Sequence, residues 1–184
     1  MRVISGLYRG RILRSPSGLR TRPTSDRLRE TLFNVLAPSI NDETRFLDLC
    51  AGTGAIGIEA LSRGVAFVTF VDKSRRVCAL IEENLDLLHV PEEQTDVVCL
   101  PAENFTGRLK DKPWDIVFFD PPYDIDYGPV LFDFGSHSDR LLGDNGVLVV
   151  EHHAKKQMPE TVGELRRWRT LKQGDTILSF YEPK

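Results

Sequence analysis

Asp48-Leu49-Cys50-Ala51-Gly52-Thr53-Gly54-Ala55-Ile56-Gly57 is the stretch on which the fold turns. It follows a short apolar run, Phe46 to Leu49, and leads into a segment with helical spacing. Glycines in such a turn let the backbone approach a ligand where a Cβ would collide. The spacing of Gly52, Gly54 and Gly57 satisfies the G-x-G-x-x-G pattern of a strand-turn-helix unit that receives a dinucleotide. Two acids narrow the ligand. Asp48 lies at the end of the first strand, where its charge would repel a pyrophosphate but suits the cationic methionine end of a sulfonium nucleoside, faced through water or backbone amides. Asp72 lies at the tip of the next apolar run and can accept from both ribose hydroxyls of either ligand. The turn therefore favours a sulfonium nucleoside over a dinucleotide, with Asp48, Gly52, Thr53, Gly54, Asp72 and Lys73 around it. The plain alternative, a tight turn with ordinary capping acids, requires three features to coincide.

On the carboxyl side the pattern of strand, turn and helix repeats. A helix is predicted from Ala55 to Gly64, with Gly64 as its left-handed terminator. A strand follows over Phe67 to Val71. Arg76 to Leu88 places Val77, Leu80, Ile81, Leu85 and Leu88 on one helical face, as a crossover helix does. Val97 to Leu100, Ile116 to Phe119 and Val147 to Val150 read as buried strands, with helices near Ala102 to Leu109 and Val130 to Leu142. Strands without polar alternation are what a parallel sheet covered on both faces requires. Arg166 to Leu171 and Thr176 to Tyr181 flank Lys172-Gln173-Gly174-Asp175 and predict an antiparallel hairpin that closes the sheet. The class is α/β, a Rossmann-like sheet.

Asp120-Pro121-Pro122-Tyr123 follows the strand ending at Phe119, at the carboxyl edge where open α/β sheets bind their ligands. It comes 68 residues after Gly52, room for two βα units and one more strand. Two prolines fix two φ angles and remove two backbone donors, leaving carbonyls that only accept. That suits an exocyclic amine, whose lone pair is delocalised into its ring. The Asp120 carboxylate and the Pro121 carbonyl can hold its hydrogens, Pro122 stiffens the turn, and Tyr123 offers a ring to stack on a base. The catalytic set is thus Asp120, Pro121, Pro122 and Tyr123. No Pro-Cys pair offers a cysteine nucleophile.

On the amino side the boundary falls near Pro38 to Thr44, dividing an extension over residues 1–40 from a catalytic body over 41–184. Arg2 to Ile4 and Arg11 to Leu13 predict a short hairpin, Pro16 to Pro23 a loop, and Ser25 or Asp26 the cap of a helix reaching about Leu36. Leu28, Leu32, Phe33 and Leu36 should dock that helix onto the body. Residues 1–29 carry eight arginines against Asp26, a local balance of +7 in a chain of net charge -3, so the remainder carries -10. An acidic body with an arginine-dense arm fits a polyanion, because arginine pairs bidentately with phosphate. A solvated charged face is the plain alternative.

At 184 residues the chain has room for one domain and a modest extension. No apolar run approaches the roughly 20 residues that span a bilayer, and the basic start lacks an apolar signal core, so a cytoplasmic, monomeric protein is expected. Cys50, Cys78 and Cys99 are expected as buried free thiols, and Trp114 and the phenylalanines as core. His152 and His153 adjoin on a strand and point to opposite faces, so no metal is expected. Arg166-Arg167-Trp168-Arg169 reads as a solvated edge strand.

The whole chain resembles the RsmD family, bacterial 16S ribosomal RNA guanine-N2 methyltransferases. The residues that carry the resemblance are Ile4-Ser5-Gly6, Arg9-Gly10-Arg11, Arg22-Pro23-Thr24 and Arg29-Glu30-Thr31-Leu32-Phe33-Asn34 in the arm. In the body they are the Asp48 to Gly57 turn, Glu59-Ala60-Leu61-Ser62-Arg63-Gly64, Val71-Asp72, Asn84-Leu85 and Asp120-Pro121-Pro122-Tyr123. The resemblance implies a seven-strand class I methyltransferase sheet, S-adenosylmethionine as donor, a guanine amine of the small ribosomal subunit as acceptor, and Arg2, Arg9, Arg11, Arg22, Thr24 and Arg29 on the RNA. Such enzymes place an acid and an alanine after the third strand to meet adenine. Here the run is Leu100-Pro101-Ala102-Glu103, which leaves Ala102 and Glu103 as the adenine contacts. Rival readings are the same chemistry on a DNA adenine or a protein glutamine, and a non-catalytic RNA-binding assembly factor.

Overall fold

A computed structural model describes residues 1–15, 25–108 and 112–184. Five parallel strands lead the sheet: β1 (Arg45–Leu49), β2 (Phe67–Asp72), β3 (Thr95–Cys99), β4 (Trp114–Phe119) and β5 (Leu142–His153). β6 (Thr161–Val162), β7 (Leu165–Gln173) and β8 (Thr176–Pro183) join antiparallel, giving the order β3-β2-β1-β4-β5-β8-β7-β6. The expected hairpin is β7 and β8. The sheet has eight strands rather than seven, because Thr161–Val162 folds back on Leu165 and Arg166 as a two-residue edge.

Alternation along the strands splits the core in two. Phe46, Val68, Phe70, Ile116 and Phe118 face α1 (Asp26–Leu36), α2 (Ala55–Ser62) and α3 (Arg75–Leu88). Leu47, Leu49, Val71, Val117 and Phe119 face α4 (Ala102–Thr106), α5 (Gly128–Ser136) and α6 (Ser138–Leu141). Both faces are covered, which is why these strands lack polar alternation.

Two elements depart from expectation. The helix predicted over Val130 to Leu142 breaks at His137, whose φ of -134° and ψ of 40° leave the helical region, and so becomes α5 and α6. β5 begins at Leu142 rather than Val147: Leu142 pairs with Trp114 and Val147 with Ile116, so the Gly143 to Gly146 stretch bulges out of a strand it does not end.

The arm is a hairpin with one bridge, Arg2 to Ile12, and its turn lies against α2. Buried Glu59 accepts from the backbone N–H groups of Ile4 (2.8 Å) and Ser5 (3.0 Å) and pairs with Arg63 at 2.8 Å. The Ser62 carbonyl accepts from Leu7 N–H and the Ser62 hydroxyl from Tyr8 N–H. Val3, Leu13, Leu28, Leu32, Phe33 and Leu36 belong to the same core as α2 and α3, so the extension is built into the body. Ser25 caps α1 by accepting from Leu28 N–H at 3.1 Å. No helix among the described residues is long and apolar enough to cross a membrane.

Candidate active site

The turn after β1 and the turn after β4 lie side by side at the carboxyl edge of the sheet. Leu49 pairs with Phe119, and the Asp120 N–H donates to the Leu49 carbonyl at 3.2 Å. Gly52 and Gly54 take φ of 55° and 74°, and a Cβ at Gly57 would come within 2.3 Å of the Phe70 ring, so the glycines shape both the turn and the seat of α2 on the sheet. Cys50 adopts φ 68°, a left-handed conformation that is costly for a side chain with a Cβ and tends to mark functional turns.

Asp48 lies at the end of β1 behind the glycine turn. It is buried, and its Oδ2 accepts from Gly57 N–H at 2.8 Å, so it ties the strand to the first turn of α2 and reaches a ligand only through that backbone. Burial, opposed by the Gly57 bond and reinforced by Asp72, raises its pKa to about 8. Asp72 is half-buried at the tip of β2; its oxygens accept from Gly52 N–H (3.1 Å) and Ser74 N–H (2.9 Å). An ionised carboxylate has about four acceptor sites, so two remain for ribose hydroxyls. Thr53 is half-buried beside Met1, and Lys73 is exposed next to Asp72. Ala102, buried, and Glu103, exposed, open α4 after β3 on the same edge. Glu103 belongs to the acids, with Asp72, Asp120 and Asp48, whose charges add to burial in pushing the Cys50 thiol up to about 12.

Asp120 is half-buried, and its pKa stands well above the ordinary carboxylate value through burial, then Glu151, then Asp48. Pro121 is buried and Pro122 exposed; the Pro122 carbonyl closes the loop by accepting from Ile125 N–H. Tyr123 is 43 % exposed, packs edge-on to His153 at 5.5 Å, and has its hydroxyl 3.5 Å from that of Thr176.

The sequence reading passed over several of these neighbours. Glu151 could have been found by counting: it follows Val150, the partner of Phe119, as Asp120 follows Phe119. His153 is weighed there only as a metal ligand, and Lys156 and Tyr127 carry no signal, since each lies in a connecting segment whose path only the fold shows. His152 and His153 do part, His152 to a 2.9 Å bond with Ser179 and His153 toward Tyr123.

The nucleic-acid set divides. Arg2, Arg9 and Arg11 are exposed, Arg2 lying 3.4 Å from Asp26. Arg29 is wholly buried, a correction to its place among the phosphate contacts: its guanidinium donates to the Arg2 carbonyl (2.7 Å) and to Asp26 (2.8 Å), fastening α1 to the hairpin. Arg22 and Thr24 lie outside the described residues, as does the loop from Pro16 to Pro23. A cleft of about 550 Å³ between the hairpin turn and the end of α3 is lined by Tyr8, Arg9, Arg11 and His89. Cys99 is exposed, not buried, because it closes edge strand β3; Cys78 is buried and Cys50 half-buried.

The profile of the family described as conserved hypothetical protein 95 matches residues 1–182. YlbH of Bacillus subtilis, named as a candidate rRNA methyltransferase, is 35 % identical over 186 residues, all of both chains. Ribosomal RNA small subunit methyltransferase D of Haemophilus influenzae is 34 % identical over 182 residues, 98 % of this chain and 91 % of that one. The solved structure of yhhF from Escherichia coli, described as a candidate methyltransferase, has a TM-score of 0.86 at 31 % identity, covering 100 % of this chain and 98 % of that one. With that profile spanning it nearly end to end, a class I methyltransferase sheet, and full-length relatives of this name, the chain belongs to the RsmD family.

Proposed function

We propose that this chain transfers a methyl group from S-adenosylmethionine to the exocyclic N2 amine of a guanine in 16S ribosomal RNA, acting as a monomer in the cytoplasm. The observation that carries the reading is the adjacency of the glycine turn and the Asp120 turn, joined by the bond from Asp120 N–H to the Leu49 carbonyl. Relatives named ribosomal RNA small subunit methyltransferase D supply the substrate class.

The residues present fit that cofactor. Gly52 and Gly54 bare the backbone of the turn, Asp72 keeps acceptor sites for ribose hydroxyls, and Ala102 and Glu103 stand at the next strand end for adenine. Bound there, S-adenosylmethionine supplies an electrophilic methyl carbon. Asp120 and the Pro121 carbonyl hold the amine hydrogens and bring its lone pair into line, the alignment that such a site chiefly contributes. As the nitrogen gains its methyl group it becomes acidic, and Asp120, whose raised pKa makes it a stronger base than an ordinary carboxylate, takes the proton. Tyr123, exposed and buttressed by His153, stacks on a base turned out of its helix. Arg2, Arg9, Arg11, Arg22 and Thr24 hold phosphates, and Arg29 supports the strand of Arg2 from beneath.

The test is to incubate the protein with radiolabelled S-adenosylmethionine and small ribosomal subunits from cells lacking the enzyme, then to analyse nucleosides. Label in N2-methylguanosine is expected. Label confined to another base, to DNA or to protein glutamine rejects the acceptor, and no transfer at all leaves only an RNA-binding role. Asp120→Ala should abolish transfer while donor binding persists.

A further inference from the structure

Phe118 on β4 and Val149 on β5 pair in register, and both face α1, α2 and α3. Side chains return to the same face of a sheet every second residue, and neighbouring strands lie about 4.8 Å apart. Two residues beyond that pair stand Asp120 and Glu151, which are therefore adjacent and on one face. The Asp120 N–H still bonds to the Leu49 carbonyl, and Glu151 pairs with Leu178 of β8, so both backbones are held by the sheet at this point. The next residue of β5 on that face is His153. Its ring meets Tyr123 edge-on at 5.5 Å, and the Tyr123 hydroxyl lies 3.5 Å from that of Thr176, the β8 partner of His153. Glu151 thus has the Asp120 carboxylate at its side and the seat of the Tyr123 ring one step further along its strand.

That row of groups matches one edge of guanine. Guanine presents its ring N1–H directly beside the N2 amine, two neighbouring donors, whereas adenine presents an acceptor at N1. With the base stacked on Tyr123 and its amine held by Asp120 and the Pro121 carbonyl, the N1–H comes to the neighbour of Asp120. An ionised carboxylate accepts and cannot donate, so it takes an N1–H and repels an N1 lone pair. Two acids side by side disfavour each other's charge, and Glu151, after burial, is the main influence raising the Asp120 carboxyl above its ordinary range. A base that brings two donors to two acceptors offsets that cost. Glu151 is 5 % exposed, so a donor reaching it competes little with water.

We propose that Glu151 is a specificity-determining residue: its carboxylate accepts the N1–H of the target guanine while Asp120 accepts from the N2 amine. The assignment rests on the methyl transfer proposed above. No proton passes to Glu151, because the N1–H is kept in the methylated product and the proton that leaves is the one Asp120 takes from N2. Selection is by the base edge alone: a purine with an amine at C2 but no N1–H stacks on Tyr123 and reaches Asp120, yet sets a lone pair against Glu151.

2-Aminopurine is such a base. Small subunits are reconstituted with 16S RNA ligated to carry either guanine or 2-aminopurine at the methylated position, and transfer from radiolabelled S-adenosylmethionine is measured. A site built to receive a donor rejects an analogue lacking it strongly, so wild type should prefer guanine by at least about 100-fold in kcat/KM. Glu151→Gln can turn its amide N–H toward the bare N1. Its activity on guanine should fall about tenfold or more, its activity on 2-aminopurine should rise, and the preference should shrink about 100-fold or reverse. Glu151→Asp keeps the charge and should retain the preference at lower activity. Affinity for S-adenosylhomocysteine should be unchanged in both variants, a readout that a merely structural role would move. A preference that is the same in Glu151→Gln as in wild type overturns the assignment, as does a wild-type enzyme that uses both bases equally well. Labelling of neither base by wild type overturns the proposed function instead, and the role of Glu151 falls with it.

Discussion

Replacing Glu59 with alanine should loosen the arm from the body. Glu59 is fully buried in α2, and its two oxygens receive Ile4 N–H at 2.8 Å and Ser5 N–H at 3.0 Å, with the Arg63 guanidinium at 2.8 Å from Oε1. A hydrogen bond to a charged group contributes about 1.5–3 kcal/mol, and two such bonds would give roughly 3–6 kcal/mol. Removing Glu59 also removes its own burial cost but strands the two N–H groups and Arg63, so about 3–5 kcal/mol is the expected loss, as for other broken buried pairs. For a domain of this size about 1 kcal/mol moves the melting temperature by roughly 2–4 °C, so the drop should be about 6–20 °C. Glu59→Gln retains an acceptor and should lose about half as much. Thermal unfolding by circular dichroism measures the loss, and tryptic cleavage after Arg9 and Arg11 reports whether the hairpin has lifted from Ser62 and Glu59. A fall of under about 1 kcal/mol with unchanged cleavage would refute the assignment of Glu59 as the clamp.

Asp48→Asn retains an acceptor for Gly57 N–H and removes a charge whose pKa burial has raised from 3.8 to about 8. Between those values the folded state holds a proton that the unfolded chain releases, so Asp48 costs stability as pH rises through that window. The variant should therefore melt higher than wild type, with the gap wider at pH 8 than at pH 5; a gap that narrows toward pH 8 would show that the charge is stabilised. Gly57→Ala puts a Cβ 2.3 Å from the buried Phe70 ring, and overpacking of that kind costs about 1–3 kcal/mol, outweighing the gain in helix propensity. Denaturant unfolding checks this, and an alanine variant as stable as wild type would mean that α2 slides without penalty. Arg9→Ala with Arg11→Ala should weaken RNA binding and reduce the slope of log K against log salt by about 1 per lost phosphate contact. A slope that does not change moves the footprint off the hairpin.

The Asp48 to Gly57 turn and the apolar runs made the parallel half of the sheet legible, because a strand buried on both faces leaves a continuous apolar record. The start of β5 was not legible for the opposite reason: the apolar record is continuous only from Val147, yet Leu142 pairs with Trp114 ahead of the Gly143 to Gly146 bulge and the strand begins there. The acid turns of the site were readable since each directly follows a strand. What the fold adds is lateral. That Glu151 stands beside Asp120 depends on which strands are neighbours and not on distance along the chain. Arg29 shows the limit of reading charge by composition: it belongs to the arginine-rich arm yet spends its charge on a backbone carbonyl and Asp26.

The same lateral view explains why one small chain can hold charges of both signs without self-neutralisation. Asp72, Glu103, Asp120 and Glu151 gather at the carboxyl edge, with Asp48 buried against Gly57 N–H, and there a cationic sulfonium is favoured and a phosphate is not. The hairpin turn with Arg9 and Arg11 lies beyond Ser62, at the other end of α2 from Gly54. Eight residues of helix separate the two ends by about 12 Å. The arginines of the turn are solvent-exposed, so salt with a Debye length of about 8 Å weakens their pull on the acidic edge. In the proposed reaction the backbone of the RNA is held at one end of α2 and a single base must reach the other. A nucleotide turned out of its helix crosses such a distance, whereas a base still stacked would carry its phosphates into the acidic edge.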